Sequence, residues 1–334
     1  MVCAPSTQSI PSISSIQSTP AELPISAATQ VILVRGANGE PEFAPKFDAQ
    51  LEAWKKVAAT AGAQTTVIHE GSPAAAADPK DTKADEKTAH GTLKKALTAL
   101  PPEGPGEIWI VMMGHGTWDG KEARFNLEGP DVSATELAEW LKPVRRPLVV
   151  INTASCSAPF LNALAGADRI VITAVRSGSE KNYTRFGEYL AASLTDPAAD
   201  YDQDKQWSLL EWFLSAAART AEFYKTEGRI ATEHALIDDN GDGKGTPAEW
   251  FQGLRAVKKT RDAMPLDGAA AQRLWLVPDD GARRLTPDQL AERGRLETEI
   301  AALRARKSSL KEDDYYQLLE TLMRRLAAVY EPGS

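Results

Sequence analysis

The sequence predicts an α/β fold: a mainly parallel β-sheet flanked by helices, continued by a helical region with EF-hand-like loops and a C-terminal helical hairpin. Three observations predict it. Apolar runs alternate with amphipathic helical segments from residue 30 to 175, the pattern of βαβ units. Two runs, at 108–113 and 147–151, are apolar throughout, as strands covered on both faces are. After residue 184 the apolar spacing turns helical, around two short acidic stretches.

Each element follows in order. Residues 1–28 are rich in Ser, Pro, Thr and Gln without periodicity, which predicts a disordered tail. An α/β domain is expected over 29–195. It opens with strand "QVILVRG" (30–36), helix "FDAQLEAWKKVAATAG" (47–62) and strand "TTVIHE" (65–70). A polar stretch (71–85) leads to a helix at 85–100, then to the strand "IWIVMM" (108–113). A helix at 133–143, strand "PLVVIN" (147–152) and strand "DRIVITAV" (168–175) complete it. Helices are predicted at 184–194, 209–227 and 229–237, within a region (196–265) that holds two acidic loops. "QRLWLVPDD" (272–280), in the segment 266–283, reads as a possible last strand of the sheet. Residues 284–334 read as a helical hairpin (287–307 and 311–330), solvated and packed on the domain, because its periodic run is shorter than a sustained coiled coil.

Composition narrows the function classes. The chain of 334 residues has 43 % hydrophobic content, enough for a full core. A net charge of −8 argues against a nucleic-acid or anionic-membrane surface. No apolar run approaches the roughly 18 residues of a membrane span. The start has neither a basic nor an apolar signal region, so a cytoplasmic protein is expected as the sequence stands, or an exported one that has lost its signal. Two cysteines, Cys3 and Cys156, make no disulfide framework, and Cys156 is expected to be a free thiol.

The chemistry concentrates at two strand ends. "VMMGHGTWDG" leaves an apolar strand through His115 between two glycines, and "VVINTASCSAPF" leaves another through Cys156. If the strands are parallel neighbours, both side chains emerge at one sheet edge, where α/β folds bind ligands. A thiol beside an imidazole is a nucleophile beside its acid/base. The amides of Gly116 and Cys156 are candidate donors to an oxyanion. His69, His90 and His234 lie off the strand ends and read as structural or solvent-exposed.

These two motifs, with "VILVRGANGE", resemble the caspase-like cysteine peptidases, and the spacing resembles the legumain-like branch. The resemblance covers roughly residues 30–190 and implies a caspase-like fold, a Cys156 nucleophile, a His115 acid/base and a protein or peptide substrate. Two departures stand out. Legumain-like enzymes carry an arginine in the loop after the first strand, and "GANGEPEFAPKFD" has none; the acidic residue after their nucleophile is Ser157 here. Asparaginyl specificity is therefore not implied. Arg35, Lys46, Ser157 and Arg176 are the candidate substrate contacts.

The acidic stretches have calcium-loop spacing. "DYDQDKQWSLLE" places Asp200, Asp202, Asp204, Ser208 and Glu211 at positions 1, 3, 5, 9 and 12 of an EF-hand-like register. "DNGDGKGTPAEW" follows Asp238 and offers Asp238, Asn240, Asp242 and Glu249. Lys205 at the turn position of the first loop, and Gly245 and Pro247 in the second, depart from the pattern. Structural Ca²⁺ in both loops is the expectation. The sequence leaves three functions open: a cysteine endopeptidase, a calcium-dependent interaction module without catalysis, and a transpeptidase. The joint presence of His115 and Cys156 favours an enzyme.

Overall fold

A computed structural model describes residues 29–69, 88–261, 264–277, 285 and 287–330; the expected tail and the polar stretch at 71–85 lie outside them. Its twelve described strands in chain order are β1 (Gln30–Arg35), β2 (Gln64–Ile68), β3 (Ile108–Met113), β4 (Gly116–Trp118), β5 (Ala123–Phe125), β6 (Val132–Ser133), β7 (Leu148–Asn152), β8 (Arg169–Thr173), β9 (Leu236–Asp238), β10 (Thr246–Pro247), β11 (Phe251–Gln252) and β12 (Arg255–Ala256). The helices are α1 (Ala44–Ala61), α2 (Ala89–Thr98), α3 (Ala134–Leu141), α4 (Ala158–Leu164), α5 (Phe186–Ser193), α6 (Leu209–Thr226), α7 (Pro287–Ala305) and α8 (Glu312–Val329).

The main sheet runs β10-β9-β8-β7-β3-β1-β2. Strands β2, β1, β3, β7 and β8 are parallel, and β9 and β10 are antiparallel. Chain order leaves β1 toward β2 on one side and resumes at β3 on the other. The carboxyl ends of β1 and β3 are thus a topological switch point.

Helices cover both faces, which explains the continuous apolar runs. Leu33, Trp109, Val111, Val149 and Ile151 face α1, α5 and α6, where Trp212 meets Trp54 and Trp109 edge-on at 5.8 and 6.4 Å. Ile32, Val34, Ile110, Met112 and Val150 face α2, α3 and α4. The period-two alternation of a strand is still present; both of its faces are apolar. Capping boxes start α3 (Ser133 with Glu136) and α6 (Ser208 with Glu211), each worth about 1 kcal/mol.

The structure corrects two expected elements. Residues 229–235 form no helix, and the chain then enters β9. Ile230, which completed the helical pattern, is exposed. The strand expected at 272–280 is instead a 3₁₀ turn, Ala271–Arg273, then irregular chain to residue 277; Leu274 and Leu276 are buried there, and the Leu274 carbonyl accepts from Leu209 N. The sheet ends on β9 and β10. In the hairpin, Leu296, Ile300, Tyr315 and Val329 are buried, Arg325 pairs with Glu292 and Glu299, and the Arg293 guanidinium lies 4.4 Å over Trp275.

A buried carboxylate at the foot of β3 gives stability a pH dependence. Glu107 is 1 % exposed, its Oε1 accepts from Thr29 Oγ1 at 2.9 Å, and burial pushes its pKa up to about 7. A group with a raised folded-state pKa contributes stability that is fully present below its unfolded value and lost as pH rises through the folded one. Between roughly pH 4.5 and 7 the protein should lose up to about 3 kcal/mol through this group. Denaturant midpoints measured from pH 5 to 8 should fall in the parent and flatten in Glu107→Gln, which keeps an acceptor for Thr29. An equal slope in both would assign the loss elsewhere.

Candidate active site

The strand ends bring the two predicted motifs into backbone contact. Gly36 N donates to Met113 O at 2.8 Å, and a Cβ on Gly114 would lie 3.0 Å from Gly36 Cα, so the exits of β1 and β3 close together. His115 follows directly, and its Nε2 is 3.1 Å from the carbonyl oxygen of Asn38 in the β1–α1 loop. A carbonyl only accepts, so this contact assigns the proton to Nε2 and leaves the Nδ1 lone pair unprotonated in the neutral ring. Phe43 and Phe47 hold the imidazole edge-on, with centroids at 5.0 and 5.2 Å. Burial moves the His115 pKa below its usual value, against the opposing pull of the Asn38 carbonyl and Glu40.

Cys156 sits in the turn between β7 and α4 with φ +57, a left-handed conformation that costs a residue bearing a Cβ on the order of 1 kcal/mol. Its N–H donates to Glu180 O at 2.9 Å, and its side chain is buried. Burial pushes the thiol up, while Lys181 and a hydrogen bond to Ser155 pull it down. Ser155 Oγ donates to Gly116 O at 3.0 Å and accepts from Gly116 N at 3.1 Å, stitching the two turns together.

Two expectations for this site change. The amides of Gly116 and Cys156 are committed to Ser155 Oγ and Glu180 O, so neither is a free oxyanion donor in this conformation. Of the four candidate substrate contacts, two are paired elsewhere and one is fully buried. Arg35 is buried, bonded through Nε and NH2 to Asp48 Oδ1 at 3.1 and 3.0 Å and through NH1 to Gly36 O, so it braces β1 to α1. Ser157 is fully buried, and its Oγ has no hydrogen-bond partner. Arg176 is exposed but folds back toward Glu180, Nε to Oε1 at 3.5 Å. Lys46 is half-exposed, its Nζ 4.7 Å over the Tyr183 ring and 3.7 Å from Glu188.

The loop after β8 holds residues that sequence reasoning missed. Tyr183 stacks on Phe43 at 4.5 Å and donates to Glu188 at 2.9 Å; burial and Glu188 raise its phenol well above the usual range. Lys181, exposed, is the cation acting on the thiol. Trp118, on β4, packs against Gly178, where a Cβ would meet the indole at 2.7 Å. The one available signal was position, since this loop leaves the carboxyl end of a strand next to β7. His90 is buried on α2, 3.5 Å from Glu136 and edge-on to Trp140, a structural histidine.

The acidic loops separate. Asp200, Asp202 and Asp204 each bring a carboxylate oxygen within 4.8 Å of the others. Lys205, at the turn position, adopts the left-handed φ (+68) that glycine supplies in such loops. Glu211 is engaged with the loop and the helix start: Oε2 accepts from Ser208 N and Oγ, and Oε1 accepts from Tyr201 N. The second loop joins β9 to β10 as a strand hairpin, with no helix on either side. Asp238 is buried and accepts from Gly241 N and Gly243 N, Asn240 from Asp242 N, and Asp242 from Lys244 N and Thr260 Oγ1, while Glu249 lies on a 3₁₀ turn. These side chains accept from backbone amides of their own loop, as Asp200 and Asp204 do in the first.

No family model matches the sequence, and no curated protein matches it. Solved structures to which the chain is similar include the Drosophila initiator caspase Dronc, at TM-score 0.41 and 14 % identity over 73 % of this chain and 94 % of that one. Caspase-1 from Spodoptera frugiperda is similar at TM-score 0.42 and 9 % identity, over 69 % of this chain and 94 % of that one. A Geobacter sulfurreducens protein is similar at TM-score 0.39 and 13 % identity, over 63 % and 92 %.

Proposed function

We propose that the chain is a cysteine endopeptidase with Cys156 as nucleophile and His115 as acid/base. The observation that carries this is the fixed imidazole: Asn38 holds Nε2–H, leaving Nδ1 as the acceptor, and the His115–Gly116 backbone is stitched to the cysteine turn through Ser155. At rest both groups are neutral, since burial lowers the imidazole and raises the thiol. The thiol proton passes to Nδ1 as Sγ attacks the substrate carbonyl carbon and the carbonyl electrons move to oxygen. Collapse expels the amine, which takes the proton from His115 and leaves a thioester. Water, deprotonated by His115, then attacks the thioester, releasing the acid and restoring the thiol.

A fluorogenic peptide library, with and without prior iodoacetamide treatment, tests this reading. Cleavage that alkylation of Cys156 abolishes is the expected result; cleavage insensitive to it overturns the assignment. An added peptide amine separates hydrolysis from transpeptidation, because both use the thioester and only the second yields a ligated product.

We further propose one Ca²⁺ site, in the first loop alone. Beyond the three aspartates, Gln206 is 7 % exposed, its Oε1 has no hydrogen-bond partner, and its Nε2 is 3.4 Å from Asp204 Oδ2. Nitrogen and oxygen of an amide exchange places by a flip. Two oxygens about 3.4 Å apart suit a shared ion, since ligands about 2.4 Å from calcium and roughly at right angles have that separation. Calcium at a hundredfold its dissociation constant should add about 2.7 kcal/mol of stability. Titration calorimetry should give one site, lost in Asp202→Asn and retained in Asp242→Asn. No uptake at millimolar calcium would leave the loop an acidic turn.

A further inference from the structure

We infer that His234 is a positioning residue for Cys156, acting through Glu180. The inference rests on the nucleophile assigned above. Its Nδ1 lies 2.6 Å from Glu180 Oε1, across 54 positions of chain. Glu180 in turn accepts the Cys156 N–H on its backbone oxygen at 2.9 Å, so one residue carries both contacts. Its other carboxylate oxygen, Oε2, accepts from Arg176 N at 2.9 Å, and Glu180 N donates to Ser177 O at 3.3 Å. Residues 176–180 are therefore folded around their own carboxylate, and His234 fastens that carboxylate to the rest of the protein.

The fastening point is itself rigid. Glu233, the preceding residue, is buried and accepts from Arg185 N, Phe186 N and Tyr224 OH, which ties it to the start of α5 and to α6. Two residues after His234 the chain enters β9, paired with β8. His234 is held from both sides. What it holds is a turn with a reason to relax: Cys156 has φ +57, and its N–H to Glu180 O helps to keep that conformation. Lys181, the cation acting on the thiol, is the next residue after Glu180 and moves with it. The charged groups facing His234 are Glu180 and, through it, Arg176; the Glu233 carboxylate is directed to α5 and Tyr224.

Removing the imidazole unfastens Glu180, and with it frees the neighbouring Lys181 to withdraw from the thiol. Withdrawal of that cation disfavours the thiolate, and a one-unit rise in thiol pKa cuts the thiolate fraction about tenfold. The test uses the full chain and two variants, His234→Ala and His234→Gln. The alkylation rate of Cys156 by iodoacetamide is followed against pH, with Cys3 as the internal reference thiol, alongside kcat, KM and melting temperature. In His234→Ala the Cys156 profile should move up by about one pH unit and kcat should fall roughly tenfold at unchanged KM. His234→Gln, which keeps a donor for Glu180, should restore most of both. An unmoved alkylation profile in a folded His234→Ala variant overturns the inference, whatever happens to melting. If the parent cleaves no peptide, the peptidase reading fails alone, because the alkylation profile still reports whether His234 positions the thiol.

Discussion

Cys156→Ala should reduce peptide cleavage to background, a loss on the order of 10⁴-fold or more, and His115→Ala should match it. The double variant should be little worse than either, because two residues that move one proton between them act as a unit. The fold should survive both changes. Alanine carries the same Cβ as cysteine into the left-handed turn, and the bond to Glu180 is made by the backbone N–H. His115→Ala removes a ring from between Phe43 and Phe47 and should cost about 2 kcal/mol, read as a lowered midpoint in denaturant. His90→Ala is the control: it should lower stability, since His90 is buried against Trp140, and leave cleavage intact. Equal loss of cleavage in His90→Ala would show that the wrong histidine bears the chemistry.

The protonation states add a pH signature to that result. His115 works as a base only when neutral, and burial moves its pKa below the ordinary histidine value, so the acid limb of kcat/KM should lie below about pH 6.5. Burial holds the resting thiol above its usual range, so Cys156 should alkylate more slowly than an exposed cysteine. Nucleophilicity then comes from proton transfer during attack, with no thiolate–imidazolium pair at rest. A limb above pH 7 would place another group in control.

Much of this was legible from strand ends. The runs into His115 and Cys156 are covered on both faces, so their apolar continuity marked central strands, and the first polar residues after them had to emerge at one edge. Short strands gave no such mark: β4 and β5 are three residues each, and β9 hides in a segment whose apolar spacing suggested helix. The partners of the site were invisible for a different reason. His234 meets Glu180 across 54 positions, a pairing that the sheet order creates, and Arg35 finds Asp48 through the packing of α1 on β1. Glu211 is expected from spacing only as the last position of a calcium loop, although "SLLE" satisfies a capping box as well.

The second large effect is expected from one methyl group at Gly116. A Cβ there would lie 2.2 Å from Ser155 O and 3.1 Å from Arg124 O, both backbone atoms that cannot swing aside as a side chain can. Relief requires β4 to lift from the cysteine turn, breaking the exchange between Ser155 Oγ and the Gly116 backbone, or the turn itself to move. Either displaces His115 from Cys156. A shift of about 1 Å between reacting groups costs roughly 10²-fold in rate, and overpacking against backbone costs about 3 kcal/mol. Gly116→Ala should therefore lose cleavage at least 10²-fold and unfold at lower denaturant, while Gly166→Ala, whose Cβ would sit 3.6 Å from an arginine side chain, should change neither. The rate is the sharper measure, because it isolates the distance between the two turns. If Gly116→Ala cleaves as fast as the parent, the catalytic groups do not depend on this contact, and the stitch through Ser155 is a feature of folding alone.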